Sequence, residues 1–296
     1  MNTTKTFGIV AKPQDERAQR LSVETINWAR GQGCSVIVDR ETARHLAPGA
    51  VEPSQVVDRH EMSSQCQVLV VLGGDGTLIS ASRHPAASPP LVVGVNMGTL
   101  GFLTEITAEE LFPTLEAVLN EAARVEPRAM LSARVVRQGK ELLSYTALND
   151  IVITKQAIAR IFGLEFSVDG QFAAMIRGDG AIVSTPGGST AYSLAAGGSI
   201  VHPSVDATLV TPICPHLLTW RPLVLPGAAE LSFRTVMQPE SGDGEVYLTL
   251  DGQEGVGLTN GDIVEIRKSK HFVKFVKSSS KNYFEILATK LKWANQ

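Results

Sequence analysis

The sequence predicts two kinds of structure in succession. An α/β N-terminal domain on an open, mostly parallel sheet is followed by a mostly antiparallel, β-rich domain. Three observations carry this expectation. The early apolar runs are continuous, as in strands buried on both faces, with helix-compatible segments between them. Past Pro127, strand signals follow one another with only turn residues between. A final amphipathic stretch, YFEILATKLKW from Tyr283, comes after the polar SSSKN and needs a surface to cover. The expected division is 1–126 with the tail 278–296, and 127–277, with the tail packing back on the first domain.

Each element has its own signal. FGIVA (Phe7–Ala11) is the first strand, and a helix-permissive segment with Leu21, Ile26 and Trp28 runs from it to about Arg30. SVIVD (Ser35–Asp39), VLVVL (Val68–Leu72) and LVVGV (Leu91–Val95) are the next strands. Leu111, Phe112, Leu115, Val118, Leu119 and Ala122 recur at helical spacing and predict a helix over Ala108–Arg124. Thr107 is its expected cap, with Glu109 and Glu110 in the first turn. In the second half SARVVRQ, LLSYTALNDIVIT, GLEFSVDGQFAAMIRGDGAIVS, ELSFRTV, EVYLTLDGQ, DIVEIRKS and FVKFVK read as strands. Asp169-Gly170 predicts a tight hairpin. A short helix is expected near Thr190–Ala196.

Composition excludes several function classes. The chain has 296 residues, enough for two ordinary domains, and its 44% hydrophobic share supplies their cores. A formal charge of −3 and few aromatic residues give no reason to expect nucleic acid. No apolar run approaches the ~20 residues of a membrane span. MNTTKTFGIVAKP has no long apolar stretch, so no secretory signal is expected. The three cysteines, Cys34, Cys66 and Cys214, are far apart and lack C-x-x-C spacing. A reducing, cytoplasmic setting fits them. The six histidines are scattered and none forms H-E-x-x-H, so no protein-built metal cage is expected.

Four stretches combine residue types that carry chemistry. GGDGT (Gly73–Thr77) follows the third strand, where ligands of open α/β sheets gather. Its glycines permit close backbone approach, whereas Asp75 either caps a following helix or takes part in chemistry. No Walker G-x-x-x-x-G-K-[ST] and no G-x-G-x-x-G occurs. NMGTLGFLTE (Asn96–Glu105) follows the fourth strand in the same way. Asn149-Asp150 is a polar pair inside the apolar ALNDIVIT, suited either to a bulge or turn or to reading a base or ribose. RGDGAIVSTPGGSTAYSLAAGGSI (Arg177–Ile200) is densest. Gly178, Gly180, Gly187 and Gly188 should open the backbone there, and Ser184, Thr185, Ser189, Thr190, Tyr192 and Ser193 supply hydroxyls. Gly187–Ala191 nearly matches a serine-hydrolase elbow, but Pro186 and two glycines interrupt the strand such an elbow needs.

GGDGT, NMGTLGFLTE, LND, RGDGAIVSTPGGSTAYSLAAGGSIVHP, TPICPH and DGQ stand here in the order found in NAD kinases. The chain resembles the bacterial members along its whole length. The GGDG element alone also resembles diacylglycerol and sphingosine kinases, whereas the STPGGSTAYSLAAGG stretch is specific to NAD kinases. The resemblance implies transfer of a phosphoryl group from ATP, or polyphosphate, to the 2′-hydroxyl of the adenosine ribose of NAD. A divalent cation, Mg²⁺ first, would accompany the donor, and homodimers or homotetramers are expected. It also implies roles by position. Asp75 takes the proton from the 2′-hydroxyl. Gly73, Gly74, Gly76 and Thr77 form the phosphate-donor loop, with Asp75 and Gly76 also contacting NAD. Asn149 and Asp150 contact adenosine and ribose, as do Thr190, Ala191, Tyr192, Ser193, Leu194 and Ala195. Asp179 lies toward the nicotinamide end, Arg160 and Arg177 toward the pyrophosphate or a neighbouring subunit, and Gln253 makes a further contact. Gly187 departs from the pattern, where Thr or Ser is usual. A GGDG-type lipid kinase and a non-catalytic NAD(H)/NADP(H) sensor are the competing readings.

Overall fold

A computed structural model describes residues 5–155, 162–237 and 246–293. The chain divides into two compact units, residues 1–127 with 272–296, and residues 128–271.

The first unit is an α/β layer structure. Its strands are β1 (Thr6–Ala11), β2 (Ser35–Asp39), β3 (Val56–Val57), β4 (Val68–Gly73) and β5 (Leu91–Asn96). They pair in parallel in the order β5-β4-β1-β2-β3, and Lys274 and Phe275 add in parallel beside Leu91 and Val92. The continuous apolar runs have their expected cause. Val68 to Leu72 are each at most 1% exposed, because the strand is covered on both faces. Burying each such side chain stabilises the fold by roughly 1.5–3 kcal/mol. Helix α1 (Glu16–Gly31) is capped by Asp15, whose carboxylate accepts from the Arg17 and Ala18 N–H groups. It buries Leu21, Ile26 and Ala29.

Helix α2 (Asp75–Ser82) starts directly after β4, and α3 (Leu111–Leu119) is shorter than the predicted 108–124. Thr107 does pair reciprocally with Glu110, but around a turn that precedes α3. At the other end Glu121 is left-handed (φ 57°) and the Ala122 N–H bonds back to the Ala117 carbonyl at 2.8 Å. That closure terminates the helix although the apolar spacing continues to Ala122. The C-terminal helix (Tyr283–Leu291) opens with a capping box of Asn282 and Glu285 and buries Ile286 and Leu287 in this same unit, as the amphipathic tail predicted. Ser278 and Ser280 both donate to Glu110, at 2.8 and 2.6 Å. Buried Lys277 pairs with buried Glu105 and lies 3.4 Å from Glu126.

The second unit packs two antiparallel sheets around one core. One sheet contains a β6–β7 hairpin (Val125–Arg137, Lys140–Ala147), β9 (Phe162–Val168), β10 (Gln171–Gly178), β14 (Leu231–Val236) and β17 (Ile263–Val276). The other has the order β13-β12-β11-β8-β15-β16, formed by β8 (Asp150–Lys155), β11 (Gly180–Ser184), β12 (Ala207–Ile213), β13 (Leu223–Pro226), β15 (Val246–Leu250) and β16 (Glu254–Leu258). Side chains of both sheets, among them Leu131, Ile153, Phe166, Val183, Phe233 and Leu248, form the core. Burial alternates along β14 and β15, as expected where one strand face is inward. Asp169 (φ 49°) and Gly170 (φ 76°) make the predicted tight turn between β9 and β10. The two strand signals DIVEIRKS and FVKFVK are one continuous strand, β17.

Candidate active site

In the first unit the two glycine-containing loops lie at adjacent carboxyl ends of parallel strands, since Gly73 of β4 is in register with Asn96 of β5. Asp75 is the first residue of α2, not its cap; the cap position belongs to Gly74, without a side-chain bond. The Asp75 carboxylate turns to the neighbouring loop. Its Oδ2 accepts from the Phe102 N–H at 2.8 Å, and its Oδ1 from the Leu103 N–H at 3.1 Å and from the N–H and hydroxyl of Thr104, both at 3.0 Å.

The glycines here divide into two groups. A side chain at Gly73 would strike Thr77 at 2.8 Å, and one at Gly101 would strike the Asp75 Oδ1 at 2.1 Å. At Gly74, Gly76 and Gly98 a side chain would meet nothing within 4 Å. The first pair is needed for packing, while the other three border open space that a ligand can approach.

In the second unit Asn149 lies between β7 and β8 and Asp150 opens β8, and a residue with no sequence signal of its own holds them. Asp251 accepts from the N–H groups of Leu148 at 2.9 Å, Asn149 at 2.7 Å and Asp150 at 3.1 Å. Its own N–H donates to the Asp150 carbonyl at 2.9 Å. Asp251 (φ 51°) and Gly252 (φ 64°) turn the chain between β15 and β16, and exposed Gln253 follows. Asp150 is 5% exposed. Burial, then the negative charge of Asp251, push its carboxyl up to about 7, against a lowering by the Tyr192 N–H.

The glycine- and hydroxyl-rich stretch docks on this pair. The Thr185 N–H donates to the Asn149 carbonyl at 2.9 Å, and its hydroxyl donates to the Leu148 carbonyl at 2.8 Å. A short 3₁₀ turn (Gly187–Thr190) and a single helical turn (Tyr192–Ala195) replace the helix expected over Thr190–Ala196. Most of the hydroxyls are structural. Ser189 donates to the Pro186 carbonyl at 2.6 Å, and Ser193 pairs with Thr211 at 2.8 Å, both fully buried. Thr190, Ala191 and Leu194 are half-buried, and Tyr192 and Ala195 are exposed.

Gly178, Gly180 and Gly188 do not open the backbone as expected. Their missing side chains would collide with carbonyls of Ile213 and Cys214, of Ile153, and of Asn149, at 2.8, 2.1 and 2.1 Å respectively. They permit strands and turns to touch. Asp179 pairs with Lys155 at 3.1 Å and precedes β11, whereas Thr185 follows it. At about 3.3 Å per residue β11 separates Asp179 from the Asn149–Asp150 pair by roughly 16 Å, and Arg177 lies at the end of β10 in the other sheet. Arg160 lies outside the described residues.

Family models for the ATP-NAD kinase N-terminal domain and the ATP-NAD kinase C-terminal domain match residues 7–123 and 148–278. The chain belongs to the NAD kinase family. It is 45% identical to the NAD kinase of Geobacter metallireducens and 46% identical to that of Geobacter sulfurreducens, over 99% of this chain and 100% of each relative. A solved yeast NADH kinase complexed with NADH superposes with a TM-score of 0.88 at 27% identity, covering 100% of this chain and 90% of that one. An NAD kinase from Archaeoglobus fulgidus, solved in complex with ATP, shares the fold at 24% identity and a TM-score of 0.73, covering 97% and 98%. The matched N-terminal domain contains the GGDG and NMGTLGFLTE loops, and the matched C-terminal domain begins one residue before Asn149.

Proposed function

We infer that this chain is an NAD kinase, transferring the terminal phosphoryl group of ATP to NAD and giving NADP. The observation that carries this is the match of both family domains and of NAD kinases along the full chain. The geometry supports a specific division of labour. Asp75 stands at the carboxyl end of the parallel sheet, with the open glycines Gly74, Gly76 and Gly98 around it. The bond that forms joins the 2′ oxygen of the adenosine ribose to the γ-phosphorus, and the bond that breaks releases ADP. The hydroxyl proton passes to the Asp75 carboxylate as general base. Asn149, Asp150 and the 190–195 turn hold adenosine and ribose. Gln253, Arg177, Asp179 and Arg160 are further contacts in this scheme.

Among the described residues no group of three or more His, Cys, Asp or Glu side chains is placed to hold a metal ion. In this reading a divalent cation, Mg²⁺ first, would be carried on the ATP phosphates, where it would neutralise charge. Polyphosphate is the alternative donor in this scheme. Among the described residues no helix is long and apolar enough to cross a membrane. A reducing cytoplasmic setting is part of this reading, and the thiols of Cys34, Cys66 and Cys214 are free. A homodimer or homotetramer, in which the exposed Arg177 at the end of β10 serves a neighbouring copy, is part of this reading.

Purified protein incubated with ATP, NAD and Mg²⁺ should accumulate NADP, read by an NADP-specific dehydrogenase. A lipid kinase or a sensor would form none. Absence of NADP with either donor and several divalent cations would refute the assignment.

A further inference from the structure

Among the described residues, three of the four donors to Asp75 are backbone N–H groups, and the fourth is the hydroxyl of Thr104. Thr104 is fully buried. The direction of its proton follows from its neighbour. Asn96 accepts from the Gly98 N–H through Oδ1 at 2.9 Å and donates through Nδ2 to the Thr99 carbonyl at 2.7 Å. Those two bonds fix which end of the amide is which. The Nδ2 group then also donates to Thr104 Oγ1 at 3.1 Å. A hydroxyl has a single proton; with its oxygen accepting from Asn96, Thr104 gives that proton to Asp75.

The two carboxylate oxygens are therefore unequal. Oδ1 takes three donors and has no room for another, whereas Oδ2 takes one. We propose that Thr104, oriented by Asn96, is a positioning residue for phosphoryl transfer: it locks Asp75 so that Oδ2 is the atom left to receive the acceptor's proton. This rests on the assignment of Asp75 as general base. Gly101 belongs to the same device, because a side chain there would reach 2.1 Å from Asp75 Oδ1 and 2.3 Å from Thr104 Oγ1.

The experiment compares the wild type with Thr104→Val, Thr104→Ala and Thr104→Ser, each alone and with Asp75→Asn. It measures kcat and KM with ATP and NAD, NAD affinity by calorimetry, and melting temperature. Thr104→Val and Thr104→Ala should lose about 10-fold in kcat, with NAD affinity within about twofold, as expected when only the reacting geometry is disturbed. Thr104→Ser restores the donor and should recover kcat to within about threefold. With Asp75→Asn present, removing the hydroxyl should cost less than about twofold more, since the two residues act as one unit. Wild-type kcat in Thr104→Ala, or the same loss in both backgrounds, would overturn the proposal. If Asp75→Asn itself keeps wild-type kcat, the general-base assignment fails, independently of any Thr104 result. Thr104→Ala adds no branch to the core, so it carries the comparison if Thr104→Val melts early.

Discussion

Asp150 should make this protein less stable as pH rises through neutrality, and Asp150→Asn should remove that dependence. Its carboxyl moves from the ordinary 3.8 to about 7 on folding, first by burial and then by the charge of Asp251. The sign follows from proton counting. Between those values the folded chain holds a proton that the unfolded chain has released, so each rise in pH favours unfolding. Above pH 7 the accumulated penalty is about 4 kcal/mol, at 1.36 kcal/mol per pH unit. Over the accessible window from pH 5 to 8 the change is about 2–3 kcal/mol, because part of it has already accrued by pH 5. Asparagine imitates the protonated form in shape and cannot ionise. Urea unfolding of both proteins at pH 5, 6, 7 and 8 measures the effect as the gap between variant and wild type. The gap should widen in the variant's favour by about 2–3 kcal/mol toward pH 8. Parallel pH profiles, with the gap constant within about 0.5 kcal/mol, would refute the reasoning.

Asp251→Ala should raise the Kd for NAD by tenfold or more, while Gln253→Ala changes it less, because Asp251 alone holds three N–H groups of the Asn149–Asp150 segment; calorimetric titration with NAD compares them. Glu105→Ala should destabilise the first unit by about 3 kcal/mol, since it leaves the buried Lys277 without its main partner; a thermal melt reads this. Leu287→Ala should cost about 2–3 kcal/mol by opening a cavity beneath the C-terminal helix, where Leu287 is 4% exposed. Phe284→Ala, at 67% exposure on the same helix, should change the melt little.

Elements whose signal lies within a few residues were readable in the sequence. The uninterrupted Val68–Leu72 run marked a strand covered on both faces, and Asp169-Gly170 marked a turn needing two positive φ angles. The tail's apolar stripe marked a helix with a face to bury. Signals that depend on distant neighbours were not readable. Strand β12 (Ala207–Ile213) is buried throughout, yet Pro212 and two threonines disguise it as a loop. The apolar spacing of α3 ran past the point where Glu121 turns left-handed, and nothing in a periodicity marks such a stop.

The same limit governed the site. GGDG announces Asp75, but three of its four partners among the described residues are backbone N–H groups of Phe102, Leu103 and Thr104, which have no side-chain signature. Asp251 lacks a sequence signal for the same reason: it reaches across about a hundred residues to backbone donors. Glycine identity was visible while its purpose was not. Gly74 and Gly76 border open space, whereas Gly178, Gly180 and Gly188 press against carbonyls. The difference lies in what sits opposite each one.

The most direct test of the central claim is the initial rate of NADP formation from ATP and NAD, wild type beside Asp75→Asn. The wild type should turn over, and the variant should lose about 10²-fold or more in kcat while still binding NAD, because the proton acceptor is gone and the binding residues remain. A wild type that forms no NADP would contradict the assignment as an NAD kinase, and a fully active Asp75→Asn would place the general base elsewhere.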